Sequence, residues 1–183
     1  LLATGQQAYR DWALRSWSWF AASGMIDADG LVNDGLDAQC RNNGAPHYTY
    51  NQGVILGGLN DLSTITGDPQ YRQIAVRTAL AATRSLVTAD GLLTEPHDDL
   101  GADGPMFKGV FAFHLGHLVE ALPDGPERTA IRQWLHRNSE AVWARTADGT
   151  QPADGVWHRG TGQIGAAAQA SAIALFLSAA PNR

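Results

Sequence analysis

The densest chemistry lies in one short stretch, Glu95-Pro96-His97-Asp98-Asp99-Leu100-Gly101-Ala102-Asp103-Gly104-Pro105-Met106-Phe107-Lys108-Gly109. Its four acids could supply paired carboxylates for general-acid and nucleophile work. The same residues would also serve as a solvated loop, a helix cap or an oxygen-rich cation site, although the spacing lacks the EF-hand pattern. Lys108 could contact a substrate oxygen or pair with Asp103. His97 has no cysteine or close second histidine with which to build a zinc site. No metal and no cofactor are expected.

A second set precedes it. Gly30-Leu31-Val32-Asn33-Asp34-Gly35 leads into His47-Tyr48-Thr49-Tyr50-Asn51-Gln52-Gly53-Val54. Tyr48, Tyr50, Asn51 and Gln52 at a helix entrance offer aromatic faces and planar hydrogen-bonding groups suited to sugar hydroxyls. The alternative is an N-cap made by Thr49 or Asn51, with Tyr50 packed in the core. A third set holds Asp154, Trp157, His158 and Arg159, where Trp157 is either a stacking platform or a lid over the core. His114 and His117 share a helix at i, i+3 without a helical carboxylate partner and read as structural. No Ser sits in a nucleophile elbow, and no phosphate-cradling glycine loop or dinucleotide fingerprint occurs.

Helices must position these residues. Apolar positions recur at three- and four-residue spacing in six segments. The first carries Tyr9, Trp12, Trp19 and Phe20 and ends near Gly24. The second carries Ile55, Leu59, Leu62 and Ile65 and stops at Thr66-Gly67, glycine being the usual terminator. Asp68-Pro69 then opens the third as N-cap and first helical residue, with Tyr71, Ile74, Ala75, Thr78, Ala82 and Leu86. The fourth carries Phe111, Leu115, Leu118 and Leu122. Pro123-Asp124-Gly125-Pro126 turns into the fifth, with Ile131, Trp134, Leu135 and Val142. The sixth carries Ile164, Ala168, Ser171 and Leu175.

The connections after the second and fourth helices are short. The other three are long and open alike: Ala28-Asp29-Gly30-Leu31 recurs as Ala89-Asp90-Gly91-Leu92 and in part as Ala147-Asp148-Gly149. A period of roughly 60 residues is one helical hairpin plus a long loop. Stacked hairpins would place all long loops on one rim, the expected place for a binding site. Three hairpins leave two apolar flanks uncovered, and the abrupt start inside a helical pattern reads as part of a larger domain.

The chain has 183 residues, 44% of them hydrophobic and 17% charged, which suits one domain with its own core. A net charge of −5 without a polybasic patch argues against nucleic acid or an anionic membrane as partner. Cys40 is the only cysteine, so no internal disulfide can form. No apolar run reaches membrane-spanning length, and the N-terminus reveals no targeting segment.

Together these stretches resemble glycoside hydrolase family 76, the α-1,6-mannanase family. Tyr50-Asn51-Gln52-Gly53-Val54 is similar to its Tyr-Asn-Gln-Gly segment, and Phe107-Lys108-Gly109 to its Phe-Lys-Gly segment. Gly30-Leu31-Val32-Asn33-Asp34-Gly35 is similar to its Gly-Leu-Val-x-Asp-Gly loop. Leu62, Thr66-Gly67-Asp68 and Tyr71 fit its hairpin turn. The order matches along essentially the whole chain.

The resemblance implies an all-α fold built from helical hairpins of an (α/α)6 toroid, residues 1–183 being about three hairpins from its C-terminal half. It implies hydrolysis of α-mannan by a retaining double displacement with two adjacent Asp residues. It implies that Asp34 reaches the sugar near the cleavage point and that Tyr50, Asn51, Gln52 and Lys108 line the cleft or brace it; Tyr48, Asp103 and Trp157 of the same rim complete the substrate-binding residues expected. It implies a secreted or envelope-associated site of action and, as partners, a mannan poly- or oligosaccharide and the other half of the same domain. The family's Asp pair belongs to a helix upstream of Leu1, so these residues alone are expected to be inactive. Asp98-Asp99 is an adjacent pair in a different loop. Phe113 stands where many relatives carry Arg. The competing expectations are a catalytically inactive mannan-binding module and another toroid enzyme acting on acidic or free sugars, for which only Lys108 and Arg159 would be rim cations.

Overall fold

The computed structural model describes residues 3–147 and 149–180. Six helices follow in order: α1 (Gln7–Ala22), α2 (Thr49–Thr66), α3 (Pro69–Ser85), α4 (Gly104–Ala121), α5 (Pro126–Arg145) and α6 (Ala166–Ala179). Among the described residues extended pairing is confined to isolated antiparallel bridges, such as Ile26 with Val32 and Val87 with Leu93. The all-helical expectation holds, as does the alternation of short and long connections.

The helices make two layers. α2, α4 and α6 form an inner row, with α4 between the other two, and α3 and α5 lie outside them. α4 is apolar almost all round, as a helix covered on several sides must be. Its Phe111, Leu115 and Leu118 are fully buried with Leu56 and Leu59 of α2, Leu135 of α5 and Leu175 of α6.

Small residues let the inner helices approach. A Cβ added at Gly53 would stand 2.6 Å from the Phe111 Cα, and one at Gly116 2.6 Å from the Ser178 Oγ. Gly57 faces the His114 ring and Gly109 faces Ser171. Contacts that advance along both helices in the same sense mean that α2, α4 and α6 run parallel. Their N-termini, the positive ends of their dipoles, therefore gather on one rim with the three long loops.

Local chemistry explains the punctuation. Gly67 ends α2 at φ 75°, a left-handed conformation that glycine adopts without penalty. Asp68 caps α3 by accepting from Gln70 N–H at 2.9 Å. Gly30 and Gly91 take the same left-handed turn at φ 86° and 78° in the first two loops, so the repeated Asp-Gly is one reused hairpin. In the third copy Gly149 is also left-handed, at φ 87°, whereas Asp148 lies outside the described residues.

Two sequence expectations are corrected here. Ile164 precedes α6 and is 59% exposed; it belongs to the loop although its spacing fits the helix. Neither Thr49 nor Asn51 caps α2. Tyr48 holds the N-cap position without a side-chain cap bond, and a residue from another loop does the capping.

Candidate active-site rim

The start of α2 is the centre of the rim. Asp34, exposed on the first loop, accepts 2.6 Å and 2.7 Å hydrogen bonds from the Tyr50 hydroxyl and the Asn51 amide. Burial, and then the Asp34 carboxylate as acceptor and as neighbouring charge, push the Tyr50 phenol up to about 12. Tyr50 is thus a neutral donor, and Asp34 keeps an oxygen toward solvent. The idea that Tyr50 is a core residue does not hold.

Aromatic rings flank this carboxylate. Tyr50 lies 4.4 Å from Phe107 between ring centroids, and Tyr48 stacks on Tyr50 at 6.2 Å. The Tyr48 hydroxyl is 3.2 Å from His97 Nε2, and His97 Nδ1 is 3.0 Å from the Asp99 carbonyl. His97 and Phe107 therefore join the site, although sequence reasoning did not select them. Phe107 was visible only as the first letter of the Phe-Lys-Gly resemblance.

Gln52 and Lys108 lie beneath. Gln52 is fully buried and clamps the first loop with both ends of its amide: Val32 N–H donates to Oε1 at 2.8 Å and Nε2 donates to the Val32 carbonyl at 2.7 Å. Gln169 of α6 clamps Ala153 of the third loop in the same way, at 3.1 Å and 2.8 Å. These amides brace loops.

Lys108 occupies the corresponding place in α4. Its ammonium faces Glu95 at 3.9 Å, and both side chains are almost wholly buried. Glu95 also accepts from Thr49 N–H at 3.0 Å and from the Thr49 hydroxyl. Burial pushes the Glu95 carboxyl up and the Lys108 ammonium down, and each partner's charge opposes the shift of the other.

Two expectations fall with this geometry. Lys108 pairs with Glu95, because Asp103 is exposed where α4 begins and makes no side-chain cap. Trp157 is 1% exposed and sits in the core, so it cannot present a ring to a sugar.

The third loop closes the other side. Asp154 lies partly buried, which would raise its pKa, but bonds from Val156, Thr161 and Gly162 N–H and the Thr161 hydroxyl lower it overall. Arg159 pairs with Asp98, and Gln163 donates to the Asp98 carbonyl at 3.2 Å. Asp98-Asp99 is therefore a tie between loops. His114 and His117 pack against Phe113 at 5.2 Å and 4.5 Å. Among the described residues no three His, Cys, Asp or Glu side chains converge on a metal position, and no helix is long and apolar enough to cross a membrane.

The sequence profile described as Glycosyl hydrolase family 76 matches residues 2–182. The chain belongs to that family. Mannan endo-1,6-alpha-mannosidase DCW1 of Saccharomyces cerevisiae is 29% identical over 96% of the chain, and its Candida glabrata counterpart 30% over 80%. The chain spans 41% and 34% of those two proteins.

Among solved structures, an inactive variant of the alpha-1,6-mannanase GH76A of Salegentibacter sp. HEL1_6 aligns over 95% of this chain and 52% of its own. The TM-score is 0.80 at 24% identity, and that variant, with two adjacent aspartates replaced by alanine, is in complex with alpha-1,6-mannotetrose. The Lin0763 protein of Listeria innocua aligns with a TM-score of 0.76 over 49% of its length. The chain has the helical fold of these two proteins across about half their length.

Proposed function

We propose that this chain forms one wall of the substrate cleft of a retaining glycoside hydrolase acting on α-1,6-mannan. The observation that carries the reading is Asp34: an exposed carboxylate, fixed by Tyr50 and Asn51, beside an aromatic wall of Tyr48, Tyr50 and Phe107. Neighbouring sugar hydroxyls donate well to a fixed carboxylate, and the C–H face of a pyranose packs on aromatic rings. Asp34, Tyr48, Tyr50 and Asn51 bind substrate. Gln52 and Lys108 hold the loops that carry them.

The relatives named for α-1,6-mannan cleavage support the substrate class. No catalytic role is assigned to Asp98-Asp99, since Asp98 is committed to Arg159. An acidic-sugar substrate is disfavoured for the same reason: Lys108 and Arg159 both already face carboxylates.

The test is a digest of linear α-1,6-mannan by the full-length protein, followed by NMR of the first anomer released. Shorter mannooligosaccharides appearing first as the α-anomer are the expected result. No cleavage, or first release of the β-anomer, contradicts retaining hydrolysis, and cleavage of acidic glycans in its place contradicts the substrate.

A further inference from the structure

α2 begins without a cap of its own. Tyr48 makes no side-chain bond to the helix, and the first turn holds no acidic residue. The free N–H groups of a helix start are normally met by a nearby side chain. Here Glu95, 46 positions along the chain, accepts from both the N–H and the hydroxyl of Thr49. A buried anion at the positive end of a helix is well placed electrostatically.

Glu95 is itself held from two directions. Its loop is pinned where Leu93 N–H donates to the buried Asn138 of α5 at 2.9 Å, and its carboxylate meets Lys108 of α4. Lys108 adjoins Phe107, the ring against which Tyr50 packs. One carboxylate thus links the first turn of α2 to the first turns of α4.

The repeat sharpens the point. Gly30-Leu31-Val32-Asn33-Asp34 aligns with Gly91-Leu92-Leu93-Thr94-Glu95, and Asp34 and Glu95 engage consecutive residues of the same turn. The first copy leaves its acid in solvent. The second buries it.

We propose that Glu95 is a positioning residue for the sugar-binding rim: its carboxylate fixes where α2 begins and hence where Tyr48, Tyr50 and Asn51 stand against Phe107. The sugar-binding part of this statement rests on the function proposed above. Glu95 touches no substrate and acts through Thr49 and Lys108.

The experiment compares the full-length protein with Glu95→Gln, Glu95→Gln/Lys108→Met and Asp34→Asn. Affinity for α-1,6-mannotetraose is measured by calorimetry well below each melting temperature, and the Tyr and Phe ring resonances are followed by NMR. Glu95→Gln is expected to weaken binding about tenfold or more and to move the Tyr48, Tyr50 and Phe107 resonances. Asp34→Asn is expected to weaken binding while leaving the Phe107 resonances in place. The double variant, free of an unpaired buried cation, is expected to melt above Glu95→Gln yet still bind weakly.

Wild-type affinity and unmoved rings in folded Glu95→Gln would overturn the positioning role and leave Glu95 merely structural. If the unaltered protein does not bind mannotetraose, the proposed function fails. The ring shifts then decide positioning by themselves: movement sustains it and no movement ends it. Should Glu95→Gln not fold, Thr49→Val removes the hydroxyl donor alone and is judged by the same two readouts.

Discussion

At the scale of single residues, the site is a contrast between two carboxylates. Asp34 is exposed and held by neutral donors. Glu95 is buried and held by a helix start and an ammonium. The Tyr50 phenol ionises near 10 in an unfolded chain and at about 12 here, so the folded protein holds that proton more tightly. Its contribution to stability is full below pH 10 and lost as pH rises through about 12. Absorbance titration should show one tyrosine resisting ionisation to that pH, and Asp34→Asn should bring it down.

Lys108→Met leaves Glu95 buried without its cation. It should cost about 3–5 kcal/mol in a denaturant melt. Replacing Glu95 by Gln at the same time should recover part of that loss. The residue-level reading of the sequence grouped Asp34, Tyr50 and Asn51, and the structure brings the three together at the start of α2. It failed for Lys108, because Asp103 is its neighbour in sequence while Glu95 is its neighbour in space. Nothing in a local pattern reveals a helix cap supplied from 46 residues away.

At the scale of elements, glycine positions decide how closely the inner helices pack. Gly53→Ala drives a methyl into the Phe111 backbone and should destabilise by about 1–3 kcal/mol as α2 and α4 separate. Gly58→Ala, in the same helix but with nothing within 4 Å, should stabilise by about 0.5–1 kcal/mol through helix propensity. Chemical denaturation of the pair checks both signs. The helices themselves were legible from apolar spacing, and the α2–α3 turn from Thr66-Gly67-Asp68-Pro69. Helix starts were less so. Ile164 fits the α6 stripe by spacing alone, yet Gly165 sits at the N-cap and the helix begins after it.

At the scale of the whole molecule, the two-layer stack is uneven. α1 has no buried residue, and its Trp12 and Trp19 are 63% and 55% exposed along a groove of about 540 Å³ shared with Ile55 and Leu62 of α2. At the other end Ile173 and Leu177 of α6 are exposed. Contiguous apolar surface of this kind associates. Residues 1–183 expressed alone should therefore sediment as more than a monomer, and Trp12→Ser with Trp19→Ser should shift them toward monomer. Counting hairpins led to the expectation of two apolar flanks in want of cover, and these side chains lie exposed on α1 and α6. The solved relatives, of which the chain spans about half, have the length to provide it.

The proposed sugar site rests on Asp34 within its aromatic wall. The direct measurement is calorimetric titration of the full-length protein and its Asp34→Ala variant with α-1,6-mannotetraose. Binding by the first, and a loss of about tenfold or more in the second, measured well below its melting temperature, is the predicted result. Equal affinity of the two proteins, or no affinity in either, would contradict it.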